Sequence, residues 1–163
     1  MKPWQMMLQF GQPTSGGGGG GGEAHPHWRI YITDTPRGDY AALAEIEFRA
    51  TAGGANQAVG GTASTNGQYS GAYAVENAFD GSASTVYASN ANLPKWLAYQ
   101  FPSPVVVGEV AIRGVPASYG TQNESPRGFD IEYSDDGVSW VTAKSVAGES
   151  TWAYGELRTF SVP

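Results

Sequence analysis

The densest set of oxygen ligands in this sequence lies in residues 77–87, which read NAFDGSASTVY. One carboxylate (Asp80), one nearby hydroxyl (Thr85) and several main-chain carbonyls in a short loop form a donor set that suits a hard cation such as calcium. The same residues also make an Asx-turn that needs no metal. Asp80 can bond its own backbone, and Gly81 accepts a positive φ at no steric cost. The residues alone leave both readings open. The loop is expected between two apolar strands, with Phe79 and Val86 as buried anchors.

No other group of residues offers chemistry of comparable density. His25 and His27, in an H-P-H stretch, read as part of a linker and not as a ligand pair. There is no cysteine, hence neither a thiolate metal site nor a disulfide framework. The sequence lacks a G-x-S-x-G elbow, and its glycine run lacks the lysine and helix of a phosphate loop. Glu45 and Glu47 stand two apart on one strand face and are expected to share a solvated side. With no base placed beside a nucleophile, the chain reads as a non-enzyme.

The elements that must position the loop are strands. Residues 28–33 (WRIYIT) alternate, with Trp28, Ile30 and Ile32 on one face, and residues 44–49 (AEIEFR) alternate with Ala44, Ile46 and Phe48 inward. Residues 35–39 make a turn between them. Residues 50–73 are rich in Gly, Ala, Ser and Thr and read as loops around a short strand. Further strands are expected over 96–101 and 105–112, followed by a long polar loop over 114–127. Residues 129–134 and 138–141 flank the turn Asp135, Asp136, Gly137, a strong hairpin signal. Trp152, Gly155, Glu156, Thr159 and Phe160 close the chain in a last strand. Many short strands without helical periodicity predict an all-β, jelly-roll β-sandwich.

The 163 residues suffice for one domain plus a tail. Nine Lys and Arg against fifteen Asp and Glu give a formal charge of −6, which argues against a phosphate-backbone partner. No apolar run reaches the ~20 residues of a membrane span. Residues 1–14 form an apolar stretch with Trp4, Met6, Met7, Leu8 and Phe10, and no signal-peptide pattern. Residues 15–26 read as a linker in which Ser15 precedes seven glycines, a flexible coil of roughly 14 Å root-mean-square span. Two readings suit the tail: a disordered extension, or a docking arm that packs on a partner.

The phrase N-A-F-D-G-x-x-x-T-x-Y, the strand KWLAYQF at 95–101 and the hairpin phrase S-D-D-G-x-x-W resemble discoidin (coagulation-factor type C) domains. The nearest likeness is to galactose-binding-like and family-32 carbohydrate-binding modules carried by phage tail proteins. The likeness spans roughly residues 27–163. Where such domains usually carry Trp, this chain has Tyr87. Their W-R-I-Y-I and A-E-I-E-F strands close the domain, whereas here they open it, so the order resembles a circular permutation. First and last strands are then expected side by side and antiparallel. The resemblance implies a structural calcium ion held by the carboxylates of Asp80 and Glu45, by Thr85, and by carbonyls of Asn77, Ser82 and Ala44. Ser82 stands where Asp or Asn is common, which removes one oxygen.

Two function classes follow. In the first, the domain is a carbohydrate-binding or adhesion module on a virion (a phage tail or fibre), meeting a cell-surface glycan through loop residues. Candidates come from Tyr69, Tyr73, Tyr87, Asn90, Asn92, Tyr119, Gln122, Asn123, Trp152 and Tyr154, with Tyr69, Tyr119, Asn123 and Trp152 as the chosen four. In the second, it is a virion structural or decoration protein anchored to a tail or capsid protein through residues 1–14, with no glycan ligand. A homo-oligomer is compatible with both. Either protein would reach the outside by assembly or lysis. Gathering of the loop aromatics in one open concave patch favours the first class, and their dispersal into the core the second.

Overall fold

The computed structural model describes residues 22–163. The docking-arm reading of 1–14 and most of the linker therefore fall outside the described residues. Ten strands run in chain order: β1 (His25–Asp34), β2 (Ala42–Leu43), β3 (Glu45–Arg49), β4 (Thr62–Thr65), β5 (Tyr87–Ala88), β6 (Lys95–Val105), β7 (Glu109–Arg113), β8 (Gly128–Ser134), β9 (Val141–Val146) and β10 (Leu157–Ser161). A five-stranded sheet has the order β4-β6-β1-β8-β9, a three-stranded sheet β10-β7-β3, and β2 pairs with β5. All pairs are antiparallel. The expected all-β sandwich is the fold.

The period-2 faces explain the assembly. Trp28, Ile30 and Ile32 point from β1 into the core and meet Ile46 and Phe48 of β3, Leu97, Tyr99 and Phe101 of β6, and Phe129 and Ile131 of β8. Burying a single Ile or Phe of this kind contributes roughly 1.5–3 kcal/mol. A smaller cluster of Ala42, Val86, Ala88 and Val115 lies beyond β2 and β5, and Tyr73 and Tyr119 pack on it. Three short 3-10 turns interrupt the strands at Gly71–Tyr73, Val75–Ala78 and Ala117–Tyr119. No helix among the described residues is long and apolar enough to cross a membrane.

Four expectations need correction. β1 and β10 do not pair: β1 sits between β6 and β8, whereas β10 edges the other sheet beside β7. β10 buries only Phe160 within its span, which suits an edge, while β1 buries Trp28, Ile30 and Ile32 and keeps His27, Arg29 and Tyr31 half-buried on its outer side. The two ends of the described chain nonetheless meet, since a side-chain carbon on Gly22 would lie 3.4 Å from the Pro163 carbonyl. Second, His25 is not linker: β1 begins there, its ring stacks on Tyr133 at 3.8 Å, and Nδ1 lies 2.7 Å from Asp135. Third, the loop at 77–87 follows a 3-10 turn, not a strand. Fourth, Glu45 does not share a solvated face with Glu47. It is 4% exposed, while Glu47 pairs with Arg49.

Candidate functional site

The Asp80 loop starts where Val75–Ala78 delivers Phe79 onto Tyr99 and Phe48, with ring centroids 5.0 and 6.3 Å away. Gly81 has φ +75°, the left-handed conformation the D-G pair was expected to need. The Ser82 N–H donates to Asp80 Oδ1 at 2.8 Å, so the Asx-turn forms. Thr85 Oγ1 lies 2.8 Å from Asp80 Oδ2 and 3.2 Å from the Ser82 carbonyl. The Gly81 N–H reaches back to Glu45 Oε2 at 3.1 Å and ties the loop to β3.

Glu45 is the anomaly. Its Oε1 is buried with no hydrogen-bond partner. Burial, and then the like charge of Asp80, push its carboxyl up to about 8. An orphaned carboxylate oxygen beside a second carboxylate and a hydroxyl is a donor set that a divalent cation fits. Asn77 and Ala44 flank this set. The Asn77 amide donates to the Ala72 and Val86 carbonyls at 3.0 and 2.9 Å, closing the two limbs of the loop. The Ala44 N–H donates to the Arg113 carbonyl at 2.9 Å, where β2 passes into β3. No group of three or more His, Cys, Asp or Glu side chains with metal-site geometry occurs among the described residues. Hydroxyl and carbonyl oxygens would have to complete the set.

A second assembly lies where the loops after β1, β4 and β7 converge. Tyr69, Tyr73 and Tyr119 run edge to face across a cleft of about 330 Å³, with centroid separations of 6.1 and 5.8 Å. Tyr69 is 65% exposed. Beneath the rings Glu124 is buried, with one oxygen paired to Arg37 and the other accepting the Tyr119 hydroxyl at 2.6 Å. Desolvation and that hydrogen bond hold the Tyr119 phenol well above its ordinary value, so it stays a donor. Arg37 also stacks on Tyr40 at 4.4 Å and lies 3.1 Å from Asp39. Asn123 is exposed beside the cleft, where its carbonyl accepts the Arg37 N–H at 2.8 Å.

Of the four glycan candidates, Tyr69 and Tyr119 line the cleft and Asn123 stands next to its Arg37 wall. Trp152 is a correction. It is 1% exposed, its indole N–H donates to the Pro126 carbonyl at 2.7 Å, and Arg158 covers the ring at 4.4 Å. A ring walled in by a carbonyl and a guanidinium cannot stack on a sugar. Tyr87 is likewise core. Glu124, Arg37 and Tyr40 were not singled out from sequence. The sequence places Arg37 only in a turn, and its contact with Glu124 spans 87 positions that no local pattern reports.

No curated protein and no solved structure matches the chain. The family model described as F5/8 type C domain matches residues 60–163, from the start of the β4 region to the end, well over half of the sequence. β1 to β3 precede the match yet supply the sheet's central strand and Glu45. The chain belongs to the F5/8 type C (discoidin) domain family, whose members are generally non-catalytic modules that bind carbohydrate or other ligands.

Proposed function

We propose that this protein is a carbohydrate-binding module whose tyrosine cleft receives a neutral glycan. The observation that carries the reading is the gathering of Tyr69, Tyr73 and Tyr119 in one open cleft. Aromatic faces cover the C–H surfaces of a sugar ring, and the surrounding Thr121 and Asn123 supply a hydroxyl and an amide. Arg37 is balanced by Glu124 and Asp39, so an anionic ligand gains no free cation there.

A calcium-class ion fits the Asp80 loop, held by Asp80, Thr85 and Glu45 with Ser82, Asn77 and Ala44 contributing carbonyls. It would neutralise two carboxylates and cross-link the loop to β3. The support is the partnerless Glu45 Oε1. The finer setting, attachment of a virion to a cell-surface glycan through residues 1–14, rests on the sequence likeness to phage tail modules. Weak single sites would then act through many copies, whose avidity can exceed one site by about 10²–10⁴.

A glycan array probed with the multimerised protein tests the reading. Binding should fall at least tenfold, or about 1.4 kcal/mol, in Tyr73→Ala. Binding that survives this substitution places the glycan elsewhere, and no binding to any glycan favours the structural, decoration-protein role.

A further inference from the structure

The outer face of the five-stranded sheet carries an aromatic layer that the reading above leaves unused. Outward positions of a sheet that faces water ordinarily hold small polar or charged side chains. Here the outward row of β6 is Trp96, Ala98, Gln100, and that of β1 is His27, Arg29, Tyr31. Trp140, just ahead of β9, folds back over the same face and lies edge-on to His27 at 6.5 Å. The turn that aims it is tightly fixed. Gly137 has φ +71°, and a side-chain carbon there would come within 3.3 Å of the His27 ring. Backbone N–H groups of Val138 and Ser139 converge on Asp136 at 2.8 and 2.7 Å and hold its carboxyl well below the usual carboxylate range.

Between Trp96 and Trp140 opens a depression of about 260 Å³. Its position follows from register: the small Ala98 lies opposite Ser64 on one side and Arg29 on the other, while Gln100 lies opposite Thr62 and His27. The Arg29 guanidinium sits 4.1 Å from the Trp140 ring, 5.2 Å from Tyr31 and 5.9 Å from Trp96, so one cation braces three aromatic rings. Its charge is cancelled by Glu132, directly opposite on β8.

We propose that this depression is a second ligand site, separate from the tyrosine cleft, and that it takes a single neutral sugar ring. Three features select that occupant. The strands that floor the depression, β6 and β1, are each paired on both sides, so recognition there must come from side chains and not from strand addition. The lining combines indole faces with the hydroxyls of Thr62 and Ser64 and the Gln100 amide, without net charge. The volume falls just below the ~300–1,000 Å³ of drug-sized ligand sites, which suits one ring and not a chain. The arginine brace pre-sets the rings, so little ordering cost remains on binding.

The test is a titration of the ¹⁵N-labelled full chain with galactose, glucose and N-acetylglucosamine in turn, following the indole N–H resonances. At least one sugar should shift Trp96 and Trp140 saturably, the shifts should persist in Tyr73→Ala, and Trp140→Ala should abolish them. Gln100→Ala, at an exposed position, keeps the test decisive if Trp140→Ala misfolds, and should weaken binding severalfold with unchanged amide spectra. Absence of saturable shifts at both indoles for all three sugars overturns the site, as do shifts indifferent to Trp140→Ala and Gln100→Ala. Loss of all shifts in Tyr73→Ala would mean that the indoles only report on the tyrosine cleft.

Discussion

Two buried glutamates, Glu45 and Glu124, sit in the two candidate regions, and their surroundings differ in one decisive respect. Glu124 has a partner for each oxygen, Arg37 on one and the Tyr119 hydroxyl on the other. Glu45 has one backbone N–H, an orphaned oxygen and a like charge nearby. A buried carboxylate without compensation costs several kcal/mol or gives up its charge, whereas a paired one can serve as scaffold. The tyrosine cleft has its polar groups paired and offers an uncharged surface. The Asp80 loop leaves one carboxylate oxygen unpaired, and the proposed cation would be its partner.

The largest expected effect therefore comes from calcium. At a hundred times its dissociation constant, a ligand that binds only the folded state adds about 2.7 kcal/mol. At roughly 2–4 °C per kcal/mol for a domain near this size, the melting midpoint should rise by about 5–10 °C over the chelated protein. The pH dependence should flatten when the cation is bound. In chelator, Glu45 holds a proton in the folded state up to about 8, against an ordinary 4.5. The folded state thus binds more protons through that window, and stability falls as pH rises from 4.5 to 8. With calcium the carboxylates must be ionised, so the gain grows over the same window. Glu45→Gln should melt higher than the parent at pH 8 in chelator and ignore calcium. An identical midpoint with and without calcium would leave the Asx-turn as a turn alone.

A smaller, calcium-independent loss is expected from Glu124→Gln. The amide keeps the shape but leaves Arg37 with the exposed Asp39 as its remaining counter-charge and weakens the anchor of Tyr119. Removing a hydrogen-bonded partner of this kind costs about 1–3 kcal/mol. Arg37 is half exposed, so solvent recovers part of the loss and the lower end is expected. Urea denaturation in calcium and in chelator checks this: equal losses sharpen the contrast between the regions, and a loss seen only in chelator would couple them and break it.

What was legible in the sequence was local. Alternation marks the inward faces of β1 and β3, and the D-G pair announces the turn at Gly81, because neighbours in sequence decide both. The Asx-turn between Asp80 and Ser82 is equally local. Partner choice between strands was not legible. β10 joins β7 through contacts nearly fifty positions apart, and nothing in residues 156–162 names that partner. Trp152 misled for the same reason. It follows a polar stretch and reads as a loop aromatic, yet Pro126 supplies the acceptor that lets its indole be buried. Glu45 on an alternating strand reads as solvated, and only the loop folded over it from residues 79–85 removes the water.

The smallest expected effect on stability, and the sharpest test of the contrast, is Tyr69→Ala. Tyr69 is 65% exposed, held by a backbone bond from its N–H to the Ala88 carbonyl that alanine retains. Its edge-to-face contact with Tyr73 lies at the cleft mouth, where water competes for both rings. The substitution should shift stability by no more than about 0.5 kcal/mol and leave the calcium response intact. If the cleft is a finished sugar surface, losing one wall of it should still weaken glycan binding severalfold, because the ring contributes contact area and not support. Tyr119→Phe makes the opposite change: it keeps the ring, removes the donor to Glu124, and should lower stability more than affinity. Should Tyr69→Ala destabilise the fold while sparing binding, the tyrosines are packing residues and the cleft is not where the ligand sits.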